Sequence, residues 1–191
     1  PMYEASLKNF DKSQTEEFIN NLSVNWNIGQ YWLLKGQFSL TRRMNESRRF
    51  LDPLSKQNAN PISTFNSTSG ELHTTDGNSF SWDMQATLSY NRTIEKHNIN
   101  FLVGVNQKAS KTESISAEYR GFPSGVLNSP NYAEEIYEKP KASENSTRLV
   151  GFLGTINYSY NNIYLLDASV RMDGSSEFGS DKRFAPFGSF G

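Results

Sequence analysis

Four charged side chains at strand-like spacing are the clearest candidates for chemistry in this chain: Asp83, Asp167, Arg171 and Asp173. Each stands between apolar neighbours, so each falls on the polar side of an alternating pattern. Two carboxylates flanking a sugar linkage could act as a general acid and base pair. On a hydrated wall the same carboxylates and guanidinium can hold a polar ligand through charge-assisted hydrogen bonds. The wall role needs no convergent geometry, so the four are read as substrate-facing residues and no catalytic residue is assigned. Asp173, Ser175, Glu177 and Asp181, with Gly174 and Gly179 between them, have oxygen atoms at nearly alternate positions. That order lacks the calcium-loop spacing and its closing bidentate Glu, and a turn accounts for the same residues. His73 and His97 each stand alone in the sequence, so no metal and no cofactor is expected. His97 continues an apolar row at a turn and suits an interfacial position. Arg42, Arg43, Arg48 and Arg49 could meet lipopolysaccharide phosphate or an acidic ligand, although a solvated loop explains them better. The Asn-x-Ser/Thr matches at Asn66-Ser67-Thr68 and Asn145-Ser146-Thr147 carry no information in a chain this rich in Asn and Ser.

Composition limits what can position these groups. The formal net charge of -1 and pI of about 6.2 exclude a nucleic-acid partner held by bulk charge. No stretch approaches the roughly 20 apolar residues of a helical membrane span. The mean hydropathy of -0.64 does not exclude a membrane barrel, because barrel strands need only about 9 to 11 residues and are apolar at every second one. The absence of cysteine excludes a disulfide scaffold, a thiolate metal site and a Cys nucleophile together.

The clearest strands follow from period two. Val150, Phe152, Ile156, Tyr158 and Tyr160 alternate with Thr155, Asn157 and Ser159; Asn161-Asn162 breaks the run with residues that tolerate positive φ; then Tyr164, Leu166, Ala168, Val170 and Met172 alternate with Asp167, Ser169, Arg171 and Asp173. One face of this hairpin must meet something oily and the other something wet. Phe18, Leu22, Val24, Trp26 and Ile28 make the same pattern, a turn fits at Gly29-Gln30, and Trp32, Leu34, Phe38 and Leu40 continue it. Phe80 to Tyr90 and Ile99 to Val105 form a third pair of strands around a turn through Asn91 to Lys96, and a further strand begins near Phe187.

Between these hairpins the period disappears. Thr41 to Ser79 and Gln107 to Thr147 therefore read as long loops, the second holding a short helix with Ser129 as N-cap, Pro130 at the first helical position and Tyr132, Ala133, Ile136 and Tyr137 as its apolar stripe. Short and long connections alternate, as they do in outer-membrane barrels. Trp26, Tyr31, Trp32, Tyr90, Tyr158, Tyr160 and Tyr164 gather beside the short turns, where an interfacial aromatic girdle would lie.

The run Arg148-Leu149-Val150-Gly151-Phe152-Leu153-Gly154, then Tyr164-Leu165-Leu166-Asp167-Ala168-Ser169-Val170-Arg171, then Asp173-Gly174-Ser175-Ser176-Glu177-Phe178-Gly179 resembles the barrel of SusC/RagA-type TonB-dependent outer-membrane transporters. Thr155, Met172 and Glu177 depart from the family's usual residues. The resemblance implies import of oligosaccharides or peptides across the outer membrane, with a SusD-like surface lipoprotein over the outer face and a TonB complex acting through regions not in this chain.

The expected fold is thus all-β, an antiparallel transmembrane β-barrel segment of about six strands plus the start of a seventh, with long extracellular loops. Residues 1–191 would be part of a TonB-dependent receptor barrel domain. The plug, TonB box and signal peptide are absent from the chain, which opens at Pro1-Met2-Tyr3 without an export signal and is expected to be a fragment. The competing class is a soluble β-sandwich carbohydrate-binding module, in which the apolar rows would face a second sheet.

Overall fold

Backbone ladders run far beyond the apolar rows that mark the strands in the sequence. The computed structural model describes residues 6–57, 69–177 and 184–191. Its strands are β1 (Phe10–Ile28), β2 (Trp32–Leu51), β3 (Glu71–Ile94), β4 (His97–Arg120), β5 (Glu135–Tyr160), β6 (Tyr164–Ser175) and β7 (Phe184–Phe190). They form one seven-stranded antiparallel sheet in sequence order, with β1 and β7 as its edges. No second sheet faces it among the described residues.

The three tight turns lie where the pattern predicts them. Gly29 has φ of 67°, Glu95 51°, and Asn161 and Asn162 52° and 57°, so each reversal uses residues in the left-handed region. The β3–β4 turn is tighter than expected, with only Glu95 and Lys96 between the strands.

The long connections are corrected. Much of Thr41–Ser79 and of Gln107–Thr147 is strand: β2 continues to Leu51, β3 starts at Glu71, β4 continues to Arg120 and β5 starts at Glu135. Hydropathy alternates only where the two faces touch different media. Residues 42–49 are exposed or half-buried at every position, so neither face selects apolar side chains, while the backbone ladder is indifferent to side-chain polarity. The expected helix is corrected too. Only a 3₁₀ turn forms, Pro130–Tyr132, and Ser129 and Ala133 flank it in extended conformation with no side-chain cap from Ser129. Its apolar stripe is used in tertiary contacts instead: Ala133 packs on a hydrophobic cluster and Tyr137 lies under the Arg120 guanidinium at 3.2 Å.

The chain divides into two compact units. One comprises residues 1–17, 43–79 and 112–145, and it holds the conventional core. Phe50, Leu72 and Phe122 are buried together, with Phe10, Tyr119 and Ala133 packed against them. Phe10 stacks on Phe50 at 5.6 Å and Phe122 meets Phe50 edge-on at 5.1 Å. Beside this cluster Asp52, almost wholly buried, accepts backbone bonds from Lys8 and Leu54 while its own amide donates to Asn9 Oδ1.

The second unit comprises residues 18–42, 80–111 and 146–191 and is built the other way round. Among the described residues the buried hydrophobic ones, Phe50, Leu51, Leu72 and Phe122, all lie outside it. Its large apolar side chains point outward instead: Phe18 is 60% exposed, Trp26 59% and Val170 57%. Apolar rows of this extent left uncovered mark a surface made for another nonpolar phase.

Candidate functional site

The register between β5 and β6 sorts their side chains onto two faces. Phe152 pairs with Met172, Gly154 with Val170, Ile156 with Ala168 and Tyr158 with Leu166; Gly151 pairs with Asp173, Leu153 with Arg171, Thr155 with Ser169 and Asn157 with Asp167. Successive side chains leave opposite faces, so the first set is one apolar wall and the second one polar wall. β7 keeps the register, with Ser189 opposite Ser169 and Phe187 opposite Arg171. The Ser169 and Ser189 hydroxyls are 2.7 Å apart.

Three of the four expected substrate-facing residues come together on the polar wall. Arg171 Nε donates to Asp173 Oδ2 at 2.7 Å, and Arg171 and Asp83 line a common hollow of about 260 Å³ with Gln85, Thr87, Asn106 and Leu153. Gly151 makes this possible. A Cβ there would collide with Asn106 Oδ1 and stand 2.7 Å from Asp173 Oδ1, so only glycine lets both side chains close over β5. Asp167 lies in a separate hollow with Asn98, Asn100 and Ser159, and accepts from Asn157 Nδ2 at 2.6 Å. Asp167 and Asp173 are six residues apart on one strand, about 20 Å at strand rise, too far for a glycosidase pair.

The remaining sequence candidates resolve individually. Asp181 lies outside the described residues, as do Asn66, Ser67 and Thr68. Ser175 Oγ accepts from the Glu177 amide and Ser176 Oγ from the Arg148 amide, so Ser175 to Glu177 form a turn tied to β5. Arg43 is paired with Glu17 at 2.6 Å. His97 sits at the turn end as expected, with Nδ1 2.7 Å from the Tyr158 hydroxyl and its ring 4.9 Å from that of Tyr160. Trp32 and Tyr90 meet at 4.6 Å and Tyr160 and Tyr164 at 6.3 Å, so the rings beside the short turns form contacts between strands.

Sequence reasoning missed two features of the first unit. His73, solitary in sequence, lies 3.6 Å from both Glu71 and Glu118. A hollow of about 680 Å³ with Met44 and Ile115 in its lining carries Glu16, Glu46, Asp76 and Glu113. Both are built by cross-strand neighbours in segments without hydropathic period. The i, i+2 spacing of Glu71 and His73 was the only signal available for the first.

These long antiparallel strands, apolar on one face and polar on the other, have counterparts in known proteins. No family model matches the chain. TonB-dependent receptor P26 of Formosa agariphila is 23% identical over 179 residues, covering 92% of this chain and 18% of that protein. TonB-dependent receptor SusC of Bacteroides thetaiotaomicron is 24% identical over 189 residues, 98% of this chain and 18% of SusC. The solved structure of the RagAB peptide transporter superposes with a TM-score of 0.85 at 22% identity, over 96% of this chain and 20% of that one. Along nearly its whole length the chain is thus similar to SusC/RagA-type TonB-dependent barrels. It spans less than a fifth of the length of the relatives it matches.

Proposed function

We propose that residues 1–191 are part of the barrel domain of an outer-membrane nutrient transporter, with the apolar wall against lipid and the polar wall along the path of an oligosaccharide or peptide. The observation that carries this reading is the β5–β6 register, which places Met172 and Val170 on one face and Arg171 and Asp173 on the other. The short turns then face the periplasm, and the opposite strand ends face a SusD-like lipoprotein. Energy comes from a TonB complex through parts of the protein outside this chain. Asp83, Arg171 and Asp173 contact the passing substrate as a group, Asp167 separately. The relatives are receptors and transporters, and the segment is assigned no catalytic step.

The test is uptake by the full-length protein in whole cells, of labelled oligosaccharides and of labelled peptides. Asp83→Ala and Arg171→Ala should lower uptake of one class while surface amounts of the barrel stay unchanged. Unchanged uptake of both classes in the double variant would remove the polar wall from the transport path.

A further inference from the structure

Glu71 and His73 stand two residues apart on β3, so their side chains leave the same face. Glu118 reaches them from β4: His73 Nε2 is 3.6 Å from Glu71 Oε2, and Nδ1 is 3.6 Å from Glu118 Oε2. One ligand atom from each residue lies within 4.8 Å of the others. We propose that Glu71, His73 and Glu118 form a binding site for a zinc-class divalent metal ion. One imidazole nitrogen and two carboxylate oxygens are a donor set that suits Zn²⁺. Tetrahedral zinc with bonds near 2.0 to 2.2 Å holds its ligand atoms about 3.3 to 3.5 Å apart. The two 3.6 Å contacts use different ring nitrogens, so one nitrogen meets both carboxylates once the imidazole and the glutamate side chains turn toward one another from within the 4.8 Å cluster.

Arg120 prepares the carboxylates rather than occupying the site. Its Nε and Nη2 bond Glu118 Oε1 at 2.8 and 2.7 Å, and Nη2 lies 3.7 Å from Glu71 Oε1. The guanidinium therefore takes the Oε1 atom of each carboxylate and leaves both Oε2 atoms directed at His73, as outer-shell partners do at metal sites. Two carboxylates against one guanidinium leave a single negative charge for an incoming cation. His73 and Glu118 also border a hollow of about 190 Å³, which gives the ion an entry path and leaves a coordination position open to water or a ligand atom. A bound ion would join β3 to β4 through side chains as well as through the ladder.

The experiment uses the full-length barrel containing this chain, purified in detergent and stripped with chelator, then titrated calorimetrically with zinc alone and, separately, with magnesium and calcium. Zinc should bind, with the hard cations at least tenfold weaker. His73→Ala and Glu118→Gln should each remove this binding step or weaken it at least tenfold, while heat-modifiable gel mobility shows that both variants still assemble. Cobalt should give a visible d–d absorption in the wild type that His73→Ala loses, which separates inner-sphere ligation from a general charge effect. If His73→Ala fails to assemble, His73→Gln keeps the strand and the volume and is read in its place. Zinc binding unaltered by either substitution, or calcium bound as well as zinc, would overturn the assignment.

Discussion

Val170 of β6 pairs with Gly154 of β5, and its Cγ1 lies 3.3 Å from where a Cβ on that glycine would stand. One residue along each strand, Leu153 pairs with Arg171 on the opposite face. The apolar wall and the polar wall are thus one residue apart, and on the proposed reading substitutions at 170 and 171 should have unlike effects. Val170→Arg puts a charge into hydrocarbon at a cost of roughly 2 to 4 kcal/mol near the midplane, so assembly of the full-length barrel should fall. Arg171→Ala should assemble normally and lose uptake. Heat-modifiable mobility and uptake of both variants check this, and normal assembly of Val170→Arg with failure of Arg171→Ala would reverse the faces.

The strand extensions make a second prediction. Amides of residues 107–120 and 135–147 are laddered in β4 and β5, so in the assembled barrel they should exchange slowly, and those of 121–134 faster. Hydrogen exchange followed by mass spectrometry measures this directly. Uniformly rapid exchange from Gln107 to Thr147 would restore the loop that the hydropathy pattern suggests.

That contrast shows where the sequence was legible. From Val150 to Met172 most side chains alternate between apolar and polar, so parity could be read along the strands, with Leu153 and Leu165 as apolar exceptions on the polar face, and the register agrees. The Asn161-Asn162 reversal was legible for the same local reason, since its positive φ values favour few residue types. Between Arg42 and Arg49, or Lys108 and Ser116, both faces are wet, and a ladder leaves no trace in composition. The site around His73 was hidden for a further reason: Glu118 is 45 positions away and joins it only through strand pairing.

The contact of His97 with Tyr158 beside the short turn is a modest one. Tyr158→Phe keeps the ring and removes the hydroxyl that lies 2.7 Å from His97 Nδ1. A loss of about 0.5 to 1.5 kcal/mol is expected, seen as a lower denaturant midpoint of the folded barrel with an unchanged slope. A midpoint equal to wild type would mean that water replaces the bond at no cost.

Gly151 tests the polar cluster by steric means. A Cβ added there would point at Asn106 Oδ1 and Asp173 Oδ1, so Gly151→Ala forces two polar side chains on β4 and β6 to move. Because both obstacles are the ends of flexible side chains, the loss of stability should be small, and the main effect should be to loosen the 2.7 Å pair of Asp173 with Arg171. Asn106→Ala removes the closer obstacle. If the strain is local, the double variant Gly151→Ala with Asn106→Ala should be more stable than the sum of the single losses predicts, because the two residues share one contact. Denaturant midpoints of the four assembled barrels give the coupling. Strict additivity, or a Gly151→Ala barrel as stable as the wild type, would show that Asn106 and Asp173 do not close over this glycine.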